Sequence, residues 1–468
     1  MAERRRGLDR LDQPKRSGGR PPRPRVVDAP RAAAYDVLKA VRVDDAYTNL
    51  VLPHVLRQHG LSGRDAAFAT ELVSGTIRRQ GTYDAILAQC ADRPLGKVEA
   101  KVLDALRLGA HQLLGMRVPT HAAISTTVDL VRAKIGPGPA GFTNAVLRRV
   151  AEVPFDGWLR RITPDDEVGR LSVWHSHPRW IVEALGESLA ACGAGPDELE
   201  ALLVADNAPP QVVLVARPGR ATRDELPGTP TPLSPYGVVS EGGDPAAIPA
   251  VAQGRAGVQD EGSQLVALAL AAASVDGDDA RWLDLCAGPG GKAALLAALA
   301  AERGATLLAN ERQPHRAGLV RRAIGADALV VTGDGTRPAW PPSTFDRVLV
   351  DAPCTGLGAL RRRPESRWRR QPADLETLVA LQTALLAAAL DSVRPGGVVL
   401  YATCSPVLAE TAGVVESVLA DRDDVVLEPV GLEIPDAEGP LPGTLQLWPH
   451  RHRTDAMFLA VLRRKGVA

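Results

Sequence analysis

Two cysteines stand where the chain could do chemistry. Asp351-Ala352-Pro353-Cys354 closes one short apolar run, FDRVLVDAP, and Ala402-Thr403-Cys404-Ser405-Pro406 closes a later one, GVVLYATCS. A free thiol is commonly buried and inert, so either one alone argues little. Two at strand ends, beside the carboxylate of Asp351, suit methylation of a pyrimidine at carbon. C5 of that ring is not nucleophilic until something adds across C6, and a thiolate is the protein group best suited to that addition. A carboxylate on the N3 and N4 edge would stabilise the electron-rich adduct. C5 could then take a methyl group from S-adenosylmethionine, and loss of the C5 proton would expel the thiolate. The residues leave open which of the two thiols adds.

A methyl donor needs a seat, and Arg281 to Lys292, RWLDLCAGPGGK, has the composition of one. Apolar residues flank Asp284, a turn rich in Gly and Pro follows, and an alanine and leucine run begins at Ala293. The pattern predicts strand, tight loop and helix. Such a loop lets backbone approach a ligand and aims helix N-terminal N–H groups at it. Gly288, Gly290 and Ala293 equally satisfy the loose dinucleotide pattern, so the loop alone does not exclude a nicotinamide cofactor. Hydride transfer, however, needs no pair of thiols. Glu311, about 20 residues on, ends the next run where an acid would accept from ribose hydroxyls, and Asp334 in TGDGTRP ends the third, facing an adenine edge.

These residues need a scaffold. WLDLC, ATLLAN, ALVVTGD, FDRVLVDAP, GVVLYATCS and MFLAVLRR alternate with helical segments, which predicts an α/β parallel sheet covered on both faces over residues 271–468. In such sheets ligands bind beyond the carboxyl ends of the strands, where Asp284, Glu311, Asp334 and Asp351 fall. Ahead of it, residues 28–154 read as all-helical, with Val98, Val102, Leu106, Ala110 and Leu113 at spacings of three and four. Residues 155–270 read as a small linking domain, irregular and rich in Pro and Gly to about Gly254, with helical character resuming from Gly257. Residues 1–27 read as a basic disordered tail.

Composition bounds the rest. Lys plus Arg and Asp plus Glu are 55 each, so bulk charge selects no partner. Arg361 to Arg370, RRRPESRWRR, concentrates basic charge around Trp368, and its expected role is to bind RNA. The five cysteines form no C-x-x-C pair, which argues against a disulfide framework and a metal site. No apolar run is expected to reach the roughly 18 to 20 residues that span a bilayer. The N-terminus lacks a signal-peptide h-region, so the expected location is cytoplasmic.

DLCAGPGGK, DAPCTG followed by RRRPESRW, and YATCSP together resemble the motifs of RNA cytosine-5 methyltransferases. RDAAFATELVSGTIRR, VPTHAAISTTVDLVR and GFTNAVLRRV in the front domain are similar to the NusB-like domain of the bacterial 16S rRNA enzymes in that family. The resemblance implies a Rossmann-like catalytic domain with S-adenosylmethionine as cofactor, and 16S rRNA or a small-subunit assembly intermediate as partner. It implies that Cys286, Ala287, Gly288, Pro289, Gly290, Gly291 and Lys292 line the methionine and ribose, that Glu311 holds the ribose and Asp334 the adenine, and that Asp351 lies between cofactor and base. It assigns Cys404 as nucleophile and Cys354 to product release. Glu311 stands where Asp is commoner, and Gly288 where Ala is commoner, a change expected to be harmless. Methylation of tRNA by the same chemistry, a non-catalytic RNA-binding module in ribosome assembly, and methylation of an amino group are the rival readings. The last would be expected to show Asn/Asp-Pro-Pro-aromatic in place of Asp-Ala-Pro-Cys.

Overall fold

The computed structural model describes residues 27–326 and 328–466, so the expected basic tail, except for its last residue, lies outside the described residues. From Ala29 the chain is helical, as the periodicity predicts. Helix Ala100–Leu114 is central to this part. It buries Val102, Leu106 and Ala110 in one apolar cluster and Ala105 and Leu108 in another, because its apolar residues occupy two faces.

The linking stretch is more regular than its sequence suggests. Helices Phe155–Ile162, Glu167–His175, Arg179–Ala191 and Glu198–Asp206 come first. They are short, so each samples few periods, and Pro154 and Pro178 at two of their N-caps make the pattern read as broken. Trp158 is buried in the front cluster and donates to the carbonyl of Val150. An antiparallel sheet follows, of β1 (Val213–Ala216), β2 (Gly228–Pro230), β3 (Gly237–Ser240) and β4 (Ala256–Val258), in the order β2-β3-β1-β4. Helix Glu261–Ala272 then packs in the core of the large sheet.

That sheet comprises β5 (Arg281–Asp284), β6 (Thr306–Asn310), β7 (Ala328–Val331), β8 (Phe345–Asp351), β9 (Val393–Thr403), β10 (Val425–Glu428), β11 (Leu445–Gln446) and β12 (Phe458–Arg464). The order is β10-β12-β9-β8-β5-β6-β7, with β11 also paired to β12. Neighbours from β7 through β9 are parallel, and β12 lies antiparallel between β9 and β10. β8 and β9 are apolar and buried almost throughout because helices cover both faces. The strand order reverses between β5 and β8, and in sheets of this kind ligands bind beyond the carboxyl ends at such a point. At the opposite edge, Asp346 accepts from the backbone N–H groups of Ala280 and Arg281, and Arg347 pairs with Asp279. Charge there is consumed by structure.

One expectation fails here. Helix Asp374–Ser392 is long and apolar enough, by length and composition, to cross a membrane. Its apolar side instead packs in the core: Leu385, Leu386, Ala389 and Leu390 lie against β8 and β9, and Gln382 is buried with hydrogen-bonding partners. A helix that buries one apolar face in this way can match a membrane span in length and composition.

Candidate active site

The residues singled out in the sequence converge at the carboxyl edge. Gly290 caps helix Gly291–Glu302 with φ +117°, and a Cβ there would stand 2.8 Å from that of Ala323, so the turn requires glycine. Gly288 is equally constrained. A Cβ on it would come within 2.0 Å of Oε2 of Glu311, so the change expected to be harmless is in fact matched to its neighbour. The longer carboxylate fills the space an alanine methyl would take. Arg316 ties the two together, donating from Nη2 to the Gly288 carbonyl at 2.6 Å and lying 3.7 Å from Glu311. Glu311 also accepts from the N–H of Gln313 at 2.8 Å.

Asp284 is fully buried between the turn and Asp351. Its Oδ1 accepts from the N–H of Cys286, and Oδ2 has no partner among the described residues. Burial, reinforced by Asp351, pushes its carboxyl up to about 8. Burial and the same carboxylates drive the Cys286 thiol well above its usual range, which leaves it inert. Asp334 is exposed and turned back on Thr336, whose hydroxyl and N–H hold its carboxyl below the usual range.

Lys292 joins the cofactor turn to the thiols. Nζ donates to Oδ2 of Asp351 at 2.9 Å. Burial opposes its charge, but Asp351, Cys404 and Asp284 outweigh it and raise its pKa. Cys354 Sγ lies 3.4 Å from Cys404 Sγ, and both are partly exposed. The pair is electrostatically unequal. The Cys354 hydrogen bond, with Lys292 and Arg363, draws Cys404 below the usual thiol range against the effect of burial and Asp351. Cys354 is pushed well above it by Cys404, by burial and by Glu410. Of the two, Cys404 has the surroundings that favour a thiolate, and Cys354 those that favour the neutral thiol.

Sequence reasoning missed the support behind Cys354. Glu410, fully buried, accepts from the Thr355 N–H at 2.8 Å, the Thr355 hydroxyl at 2.5 Å and Gln382 Nε2 at 3.0 Å. Gln382 also donates to the Pro353 carbonyl. The one available signal was Glu410 following shortly after Thr403-Cys404-Ser405.

The basic segment Arg361 to Arg370 is not an open RNA-binding loop, and that expectation is corrected. Arg367 is fully buried, with its guanidinium donating to the carbonyls of Arg78, Ser176 and Asp206 and to Asn207 Oδ1. Trp368 packs over Gly81 and donates to Ile77. Glu365 accepts from the N–H and hydroxyl of Thr48. Arg369 donates to Val41 and Ala46, Arg370 to Thr355, and Arg362 pairs with Asp260 and Asp455. The segment is a strap that fastens the front helices to the catalytic edge. A guanidinium satisfies carbonyls as readily as phosphates, so composition could not distinguish the two.

The cradle suits S-adenosylmethionine. The glycine turn gives backbone access, Glu311 stands at the end of β6, and Asp284 offers a buried oxygen without a partner beside it. A Rossmann-like sheet with this turn and paired thiols defines an S-adenosylmethionine-dependent methyltransferase. Comparison with known proteins narrows the class. The pattern of the 16S rRNA methyltransferase RsmB/F family matches residues 270–463, and that of the NusB family matches residues 28–152. Rv1407 of Mycobacterium tuberculosis (strain H37Rv) is 51% identical over 95% of this chain and 98% of its own length. Ribosomal RNA small subunit methyltransferase B of Pseudomonas syringae pv. tomato is 33% identical, over 84% and 86%. The crystal structure of PH0851 shares the fold, with TM-score 0.78 and 21% identity over 94% and 99%. The chain belongs to the RsmB/F family of RNA methyltransferases and carries a NusB domain in front.

Proposed function

We propose that the protein methylates C5 of a cytosine in 16S rRNA, in the cytoplasm, through a covalent bond between Cys404 and C6. The observation that carries this reading is the pair of thiols 3.4 Å apart, with Lys292 held on Asp351 and its charge favouring a thiolate at Cys404. The rRNA target is supported by the names of relatives such as the Pseudomonas syringae enzyme, and by the front domain. Residues 28–154 would supply RNA binding, residues 155–270 the link and residues 271–468 the chemistry.

Bound on the turn, S-adenosylmethionine supplies an electrophilic methyl group. Cys286 to Lys292 and Glu311 would hold it, with Asp334 toward the adenine. Cys404, kept as thiolate by Lys292, Arg363 and the Cys354 proton, forms the S–C6 bond. The C5=C6 electron pair shifts toward C5 and N3, and Asp351 holds the N3 and N4 edge. C5 would then take the methyl group as the sulfonium S–CH3 bond breaks and its electron pair stays on sulfur. Once Cys404 is bonded to carbon, the hydrogen bond and charge by which it held the Cys354 proton are gone, and with that proton passed to solvent Cys354 would act as the base. It removes the C5 proton, the C–H pair re-forms C5=C6, and Cys404 leaves as thiolate. The target base must leave its stack to reach this edge.

Cys404→Ala should abolish methylation while S-adenosylmethionine binding persists by calorimetry. Cys354→Ala should accumulate an RNA adduct that resists denaturing electrophoresis. Normal turnover by Cys404→Ala would overturn the assignment. Bisulfite mapping of 16S rRNA from cells lacking the protein tests the target.

A further inference from the structure

Away from the active site, a cavity of about 320 Å³ opens where the front helices meet the linking helices. Arg78, Arg79, His111 and Glu71 line it, with Phe155 and Asn207 on its far side. Its charge is unbalanced. Arg78 is 8% exposed, and its Nε has no partner; among the described residues its guanidinium neither donates a hydrogen bond nor meets a carboxylate. Arg79 rests over the Phe155 ring at 5.1 Å and has no such partner either. His111 is 3% exposed; Nδ1 meets the Tyr83 hydroxyl at 2.7 Å, which leaves Nε2 without a hydrogen bond.

Glu71 is the one carboxylate in the lining. It is half-exposed and 3.5 Å from His111 Nε2. The Asn207 amide is already committed, to Arg367, His175 and Leu203. Glycines at 75 and 115 make room for the imidazole, since a Cβ on either would stand 2.2 Å or 2.6 Å from its ring nitrogens. A buried guanidinium without a close ion pair is costly and suits an added anion. Burial lowers the Arg78 pKa, and the half-exposed Glu71 offsets this only in part.

We propose that this cavity seats one phosphodiester of the RNA substrate, with Arg78 and Arg79 pairing with its oxygens. The seat rests on the reading of the protein as an RNA methyltransferase. It also places RNA against the strap, because Arg367 donates to the Arg78 carbonyl and to Asn207. An arginine presents a planar fork to phosphate, which suits a strand that must be held in one register.

The test measures binding of an unmodified 16S rRNA transcript to the full chain over a range of salt. Arg79→Gln should weaken binding by roughly 5- to 30-fold and reduce the slope of log K against log salt by about 0.7–0.9, the release expected for one phosphate contact. Arg79→Lys should keep most of the slope. Glu71→Gln, which removes the opposing charge, should tighten binding about threefold. Identical slopes for wild type and Arg79→Gln, with melting midpoints matched, would overturn the proposal. So would inorganic phosphate raising the midpoint of wild type but not of Arg79→Gln while the RNA slopes agree, since the site would then take a free anion. If wild type binds the transcript with a steep slope but transfers no methyl group, the enzymatic reading fails and the seat is still decided by the slopes. If wild type binds no RNA, both fall.

Discussion

Replacing Gly288 by alanine should weaken S-adenosylmethionine binding far more than one added methyl group suggests. The new Cβ would stand 2.0 Å from Glu311 Oε2 and 3.0 Å from Arg316 Cζ, so the carboxylate must retreat by more than an ångström to reach ordinary contact. That movement stretches the 2.8 Å bond that Glu311 accepts from Gln313 and displaces the oxygens proposed to hold the ribose diol. A hydrogen bond to a charged group contributes about 1.5–3 kcal/mol, so Kd should rise roughly 10- to 150-fold. The second variant carries the logic. In Gly288→Ala with Glu311→Asp, the shorter side chain withdraws from the methyl, and affinity should return to within about threefold of Glu311→Asp alone. Titration calorimetry on all four proteins closes the cycle. Wild-type affinity in Gly288→Ala, or additive losses in the double variant, would refute the account.

Two further outcomes follow from the geometry. Lys292 and Arg363 help draw Cys404 below the usual thiol range, so Lys292→Ala should move the acid limb of kcat/KM, and the pH profile of Cys404 alkylation followed by mass spectrometry, upward. The sign is fixed: loss of a cation disfavours the thiolate, so more alkaline conditions are needed, and an unmoved profile would dismiss Lys292 as its partner. Arg367→Met should destabilise the protein by about 2–4 kcal/mol, because the carbonyls of Arg78, Ser176 and Asp206 lose a buried donor. Calorimetric melting should then separate into two transitions; one transition at the wild-type midpoint would show the strap to be dispensable.

The carboxyl-edge residues were legible because a parallel sheet buried on both faces writes its strands as plain apolar runs, which leaves polar residues only at their ends. Asp351, Cys354 and Cys404 are brought to that edge by β8 and β9. The difference between the thiols was not legible, because Cys404 is drawn down by Cys354 and, to a smaller extent, by Lys292 from the first turn of helix Gly291–Glu302 and Arg363 from the strap, none of them near Cys404 in sequence. The same blindness to long-range partners made Arg361 to Arg370 read as a nucleic-acid surface. It also made Gly288 look interchangeable with alanine, although Glu311 depends on the space it leaves.

The caging of Arg367 bears on how such a chain can change over generations. Its guanidinium is fitted to backbone carbonyls from the NusB half and the connecting helices, and a carbonyl can be shifted but not substituted away. A recombination event that grafted a foreign front half onto this catalytic half would have to reproduce the positions of those oxygens as well as a compatible outer surface. The two halves are thereby bound to a common lineage, and insertions between them survive only where they leave that cage in place.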